Sequence, residues 1–243
     1  MTTIIALVVA AILDKYALKL PGAPFVERCR SSAWLHTYLS KCLTLMQKIG
    51  VQQSYLIVLA TFIPLCILLF ITKLVLGAFL GSLGVLLFLA VTLFYFLGNR
   101  DVGADQYVGA HETSFGVLFW FALLGPTGAL LYWFLVAAEQ TPIVTDANHV
   151  DLRTAIGRVH ALAAWVPARI TGFIYALVGN FTPGFSCWMT CMQNPAQQSS
   201  QVLQECGRAA VDASIAGDDE RLVQRSFIAW VVLAVVMVEF VRL

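Results

Sequence analysis

The residues able to do chemistry in this chain lie where chemistry is costly, at the edges of apolar blocks. Glu112 and Thr113 stand just ahead of the uncharged stretch Phe115 to Ala138, and Arg158, His160 and Arg169 punctuate the apolar block Thr154 to Gly179. A carboxylate at the first position suits the positive N-terminal end of a helix dipole. An arginine near membrane depth needs a partner, and Glu112 is one of few candidates. One reading is a polar focus, with Glu112 beside Arg169 and with Arg158 and His160 close by, fit for an anionic small ligand. The other is that Arg169 extends to phospholipid headgroups while Glu112 sits in water.

The six cysteines, Cys29, Cys42, Cys66, Cys187, Cys191 and Cys206, are scattered and form no Cys-x-x-Cys pair. Cys187 and Cys191 are four apart and share a helix face, a spacing that suits a metal. No histidine lies near them in sequence, and four-apart cysteines on one helix are not disposed for a mutual disulfide. They read as reduced thiols that pack as small apolar groups, with no metal and no cofactor. No Gly-rich phosphate loop, Gly-x-Ser-x-Gly elbow or His-Glu-x-x-His run is present, and the four histidines are spread over the whole chain.

The elements that must position these residues are membrane helices. The chain is 59% hydrophobic and 12% charged, about half the charged fraction of soluble domains. Its mean hydropathy is +0.80. A net charge of +1 without a basic run gives no reason to expect nucleic acid. The start, with its apolar run Ile4 to Leu13, has no basic residue ahead of it and no small-x-small cleavage site. It does not read as a cleaved signal peptide. The run is too short to span alone, so it is either re-entrant or spans with its flanks.

Lys15 to Gly50 is the most basic connector, which argues for the cytoplasmic side. It holds a Pro21-Gly22-Ala23-Pro24 turn, caps at Ser31 or Ser32, and an amphipathic helix ending at Gly50. That helix reads as interfacial, with Trp34 and Tyr38 at headgroup level. Tyr55 to Thr72, kinked at Pro64, and Leu74 to Leu97 form a hairpin, and Gly77 and Gly81 offer a small-residue contact face. Polar connectors 98–114 and 139–153 flank Phe115 to Ala138, which is long enough to cross a bilayer. Its Gly125-Pro126-Thr127-Gly128 centre is either a proline kink serving packing or a broken helix whose loose ends face a ligand. Thr154 to Gly179 is expected to dip in and bend at Pro167. A helix over Gln197 to Ala216 and a last apolar helix, Phe227 to Val241, complete the chain.

The blocks FGVLFWFALLGPTGALLY (115–132) and GRVHALAAWVPARITGFIYALVG (157–179) resemble the AmpE family. Those are bacterial inner-membrane proteins linked to regulation of β-lactamase and ampicillin resistance. The short apolar start, the hairpin and the final helix also fit, so the likeness covers most of the chain. AmpE is similar in turn to the cobamide (adenosylcobinamide-phosphate) synthases. In those enzymes a Glu-Asn-Thr-x-Asp run precedes the same apolar block; here His111, Glu112, Thr113, Ser114 and Phe115 stand there. Their later Arg, paired Asp, Asn and Pro-Ala-Arg become Arg158, His160-Ala161, Ala164 and Pro167-Ala168-Arg169. Their Asn-Thr-x-Asp-Ser motif gives way to Glu139-Gln140-Thr141. The acidic groups that would hold Mg²⁺ are mostly gone. The polar segment before the central block is also shorter than is usual in AmpE.

The resemblance implies an all-α, multi-pass bundle over 1–243 as one domain in the bacterial inner membrane, with broken or re-entrant segments and four to five membrane segments. The implied role is a non-enzymatic modulator of the β-lactam response. The rivals are a divergent synthase acting on a phosphate-containing or lipid-linked substrate, and a structural subunit of a membrane complex. The expected partners are the lipid bilayer and either a membrane protein or a second copy. Glu112, Thr113, Arg158, His160 and Arg169 are the candidate ligand contacts, and Gly125, Pro126, Gly128 and Pro167 the structural positions.

Overall fold

The chain reverses direction at Gly81 and at Gly125, and these reversals set the architecture. Gly81 holds φ 58°, ψ −140° and Gly125 holds φ 68°, ψ −150°. That is backbone territory occupied almost only by glycine. After each turn the chain runs back along itself. Gly84 lies against the Leu76 carbonyl and Gly77 faces Val85; Gly128 lies against the Trp120 carbonyl and Gly116 against the Tyr132 ring. A Cβ at Gly84 or Gly128 would collide with backbone.

This computed structural model describes residues 1–17, 33–49, 53–97, 105–145, 150–212, 214–215 and 217–242. The Pro21–Pro24 turn, the caps at Ser31 or Ser32, Gly50 and residues 18–32 of the basic connector lie outside them. In chain order the helices are α1 (Thr2–Ala17), α2 (Ala33–Ile49), α3 (Ser54–Phe96), α4 (Gln106–Ala110), a π turn (His111–Phe115), α5 (Gly116–Leu124), α6 (Pro126–Glu139), α7 (Pro142–Thr145), α8 (Val150–Val178), α9 (Phe181–Gln193), α10 (Ser199–Ala210) and α11 (Asp218–Arg242). No strand occurs among the described residues. The fold is an all-α membrane helical bundle.

Three helices among the described residues are long and apolar enough to cross a membrane: α3, α8, and α11 over Asp218–Val241. Gly81 divides α3 into arms of about 40 Å (54–80) and about 22 Å (82–96) at the helical rise. They form an outer hairpin with a broad apolar surface, including Phe70, Phe79 and Leu83. The sequence divided it into Tyr55 to Thr72 and Leu74 to Leu97, whereas the chain turns at Gly81, because a glycine of positive φ and not the charge at Lys73 lets the backbone reverse. Small residues at 77, 81 and 84 therefore join the two arms to each other.

The stretch Phe115 to Ala138 does not cross as one helix. Gly125 splits it into α5, nine residues, and α6, fourteen residues. At 1.5 Å per residue α6 is about 21 Å long, and α5 continues back without a break through the π turn and α4 to Gln106. The stretch is a helical hairpin, and Pro126 begins α6, where a missing amide hydrogen costs nothing.

The proline that frees a carbonyl is Pro167, inside α8. The residue four before it is Ala163, whose carbonyl accepts the Trp120 indole N–H at 3.1 Å. A side chain from the inner hairpin thus replaces the lost backbone bond. With that repair α8 runs unbroken for 29 residues, long and apolar enough to cross a membrane where a dip at Pro167 was expected.

The core forms where α6 and α8 are wrapped by their neighbours, with Phe115, Phe121, Tyr132, Phe134, Tyr175 and Trp230 fully buried. Phe62 from the first arm of α3 and Tyr95 and Phe96 from the second all reach Phe134 or Trp133 on α6. Helix α2 buries Leu35, Leu39 and Leu43 at spacings of four, while Leu45 and Ile49 face outward. Its Tyr38 hydroxyl donates to the Thr61 carbonyl at 2.7 Å, and Trp34 stacks on Trp133. These aromatics fasten α2 to the bundle. Helix α10 ends at Ala210, and α11 starts with Asp218, Asp219 and Glu220 in its first turn, matching its dipole.

Candidate functional site

Helix α4 opens under a cap: the Asp105 carboxylate accepts the amide hydrogens of Tyr107 at 3.0 Å and Val108 at 3.4 Å. The helix then widens into the π turn His111–Phe115. Such widenings displace side chains from the ordinary helical stripe and recur at functional sites. Here the turn places His111 and Glu112 on the wall of a cavity of about 400 Å³. Tyr132 and Glu139 from α6, His160 from α8, Ser199 and Ser200 from the start of α10, and the adjoining Gln140 and Gln198 complete its polar lining.

The hydrogen-bond pattern assigns protons. Thr171 Oγ1 donates to the Pro167 carbonyl at 2.8 Å and accepts the Trp230 indole N–H at 3.2 Å. With its one hydrogen used, the same oxygen accepts from His111 Nδ1 at 3.2 Å. His111 therefore carries its proton on Nδ1, and its buried Nε2 has no partner. Full burial holds this imidazole neutral, with its pKa pushed down to about 3. His160 Nδ1 lies 2.7 Å from Glu139 Oε2, and its Nε2 is likewise buried and unpartnered. The Tyr132 ring stands edge-on to both imidazoles, and its hydroxyl is buried without a partner. Two imidazole nitrogens and a phenol thus hold unused hydrogen-bonding capacity at one cavity.

The two carboxyls are pulled apart. Burial raises the Glu112 carboxyl above its ordinary range, whereas the His160 hydrogen bond lowers that of Glu139.

The expected contacts separate on this geometry. Glu112 and His160 share the cavity. Thr113 does not line it; its buried hydroxyl donates to the Gly109 carbonyl at 2.8 Å and serves the π turn. Arg158 is exposed and reaches the Tyr55 hydroxyl at 3.4 Å. Arg169 is not beside Glu112. It donates to the carbonyls of Trp165, Pro195 and Gln197 at 3.2, 3.0 and 3.4 Å and lies over the Trp165 ring. The cause is the helical run of α8: an unbroken helix puts residues 160 and 169 on different neighbours, where a bend at Pro167 would have folded 169 back. Sequence reasoning missed His111, Tyr132 and Glu139 as a set. The signal was present in Glu139 and His160, ionisable groups flanking or inside apolar segments.

A family model described as regulatory signalling modulator protein AmpE matches residues 110–238. The chain belongs to the AmpE family. The match takes in the π turn, the inner hairpin, α8, α10 and most of α11, and so every residue that lines the cavity except Val108. The chain is also similar to the cobalamin biosynthesis protein CobD of Chromobacterium violaceum, 27% identical over 44% of this chain and 34% of that protein. The same-named protein of Stutzerimonas stutzeri is 32% identical over 32% of this chain and 26% of its own length. The matched part thus spans about a third or less of these relatives. No solved structure matches. Membership of this family gives the chain a regulatory role at a membrane.

Proposed function

We propose that this AmpE-family chain is an inner-membrane modulator of the β-lactam response, and that it works by binding a small polar ligand in the cavity under the inner hairpin. The observation that carries the reading is the set of unpartnered polar atoms there, His111 Nε2, His160 Nε2 and the Tyr132 hydroxyl, inside the region matched by the family model. Buried polar atoms without partners are costly unless something meets them. The lining holds carboxyls, imidazoles and hydroxyls but no lysine or arginine. It suits a ligand bearing an amine or hydroxyls better than the anion expected from Arg158 and Arg169.

The test is genetic. In a bacterium carrying this chain and an inducible β-lactamase, Glu139→Ala and His160→Ala should change enzyme induction by ampicillin, with protein level in the membrane unchanged. Induction that is the same in wild type, both variants and a deletion strain would end the proposal.

A second reading, a divergent enzyme related to the CobD proteins, is favoured by the opposed carboxyls. A raised Glu112 and a lowered Glu139 are how acid and base roles are divided in catalysis. Turnover of adenosylcobyric acid with an amino-alcohol phosphate by purified protein, lost in Glu112→Gln, would support this reading over the first.

A further inference from the structure

Where Gly172 of α8 meets α10, Cys187, Cys191 and Cys206 place their sulfurs within 4.8 Å of one another. Cys187 and Cys191 are one turn apart on α9, and Cys206 comes from α10, whose packing against α9 the sequence spacing does not reveal. All three are free thiols; Cys191 and Cys206 are buried and Cys187 is partly open. Zinc–thiolate bonds of about 2.3 Å put neighbouring sulfurs roughly 3.8 Å apart in a tetrahedron. The three side chains thus need to close by about an ångström or less, within the reach of χ1 adjustments.

Arg169 gives an independent observation. Its side chain is 5% exposed, yet its donors meet only carbonyls, its Nε has no partner, and it forms no ion pair among the described residues. A buried guanidinium without an anion is an expensive arrangement. Trp188, the residue after Cys187, donates its indole N–H to the Arg169 carbonyl at 2.9 Å, which seats α9 against this turn of α8. A chain of contacts continues around the cluster. Arg169 donates to the Gln197 carbonyl, the Gln197 amide donates to Glu205 Oε2 at 2.8 Å, and that carboxylate lies 3.6 Å from Cys191 Sγ. Gly172 on α8 makes the room, since a Cβ there would come within 3.2 Å of Cys206 Sγ.

We propose that Cys187, Cys191 and Cys206 form a three-sulfur site for a thiophilic d¹⁰ metal ion, Zn²⁺ or Cu(I), with Arg169 as the buried counter-charge. Each thiol gives up its proton as its sulfur–metal bond forms. Three thiolates around Zn²⁺ leave one negative charge, and around Cu(I) two, so either complex supplies the anion that Arg169 lacks. Glu205 touches one sulfur and not the group, so it serves as the fourth ligand only after a rotamer change, and only for Zn²⁺, which prefers four ligands. Access is through the partly open Cys187 and the exposed Glu205. This site shares no side chain with the cavity, so the two proposals stand or fall separately.

The test uses the full chain in detergent, reduced and stripped of metal. Cd²⁺ alone, as a spectroscopic stand-in for Zn²⁺, should give a thiolate charge-transfer absorption saturating at one ion per chain. Cu(I) alone, supplied through a competing chelator, tests the other metal. Loss of a supporting partner typically costs about 10–100-fold in metal affinity, so Cys191→Ser or Cys187→Ser should weaken binding by at least about 100-fold. Cys42→Ser with Cys66→Ser should leave it unchanged. Arg169→Gln should weaken binding while keeping the charge-transfer signature. Because serine at buried Cys206 can impair folding, the wild type gives a second readout: bound metal should protect three thiols from alkylation in folded protein. Absence of a charge-transfer band with both metals, or equal metal protection in a chain lacking all three cysteines, overturns the proposal. Tighter binding of Cd²⁺ and Zn²⁺ with loss on Glu205→Gln assigns the site to zinc; preference for Cu(I), indifferent to Glu205, assigns it to copper.

Discussion

The outer and inner hairpins use one backbone device for opposite ends. Each turns at a glycine of positive φ, Gly81 or Gly125, and each places a second glycine three residues on, Gly84 or Gly128, against a carbonyl of the first arm. In the outer hairpin the arms present Phe79, Leu83, Leu87 and Val91 outward. In the inner hairpin the arms bury Phe121, Tyr132, Phe134 and Leu135. A Gly-x-x-Gly reversal closes a hairpin in either setting; the neighbours decide whether its arms meet lipid or protein. The inner one is therefore held at fixed depth, which is what a site at its base requires.

The largest expected effect is at the second glycines. We expect Gly128→Leu to lower stability by about 3 kcal/mol or more, because the side chain must enter the Trp120 backbone with packed protein all around. Gly84→Leu meets the Leu76 backbone in the same way, but the outer arms can splay, and a loss of about 1–2 kcal/mol is expected. Unfolding midpoints in detergent measure both. Equal losses would mean that surroundings do not distinguish the hairpins.

At the turning glycines themselves the comparison should vanish. A Cβ at Gly81 or Gly125 meets nothing within 4 Å, so only backbone strain remains. Gly81→Ala and Gly125→Ala should each cost about 1–3 kcal/mol, and by similar amounts. A cost confined to one of them would point to a contact at that tip.

The base of the inner hairpin carries titratable groups, so it should impose a pH dependence. Glu112 has a folded value raised above its unfolded 4.5. Its contribution is full below 4.5 and is lost as pH rises through the folded value. Glu139 is lowered from 4.5, so its contribution is present above 4.5 and is lost as pH falls through the folded value. Glu112→Gln should flatten the loss on the alkaline side, and Glu139→Gln the loss on the acid side. Thermal midpoints from about pH 3 to 8 would show this, and unchanged profile shapes in both variants would refute it.

The smallest effect concerns coupling. Glu112 lines the cavity while Arg169 is held outside it by the carbonyls of Trp165, Pro195 and Gln197, so the double change Glu112→Ala with Arg169→Ala should be additive within about 0.5 kcal/mol. A coupling above 1 kcal/mol would restore the ion pair that the sequence suggested.

Much of this protein was legible before any coordinates. Uninterrupted apolar runs with few charges require a membrane, and in a membrane the backbone must satisfy itself, so helices follow. The break at Gly125-Pro126 was readable because glycine and proline act locally; the run 55–97 was readable as two arms, but Lys73 marked their boundary in the sequence where Gly81 marks it in the fold. Glu112 and His160 were readable as site residues because a charge near an apolar segment is costly anywhere it sits. What the sequence left open was which costly groups share a partner. Arg169 was matched to Glu112 by scarcity of alternatives, yet a side chain is satisfied by whatever packs against it, and carbonyls at 165, 195 and 197 carry no mark in the sequence.

The amino-acid order thus determined a helical membrane protein, its breaks and its family-like blocks, since these depend on residues within a few positions of one another. Tertiary structure alone decided that Phe115 to Ala138 folds back as a hairpin, since the direction of a chain after a flexible glycine is set by the packing of its arms. It also decided that Trp120 mends the helix at Pro167, that Tyr132 stands between two histidines, and that Cys206 joins two cysteines fifteen or more positions earlier in the chain. Each depends on helix faces brought together across the bundle, and no local pattern records which faces those are.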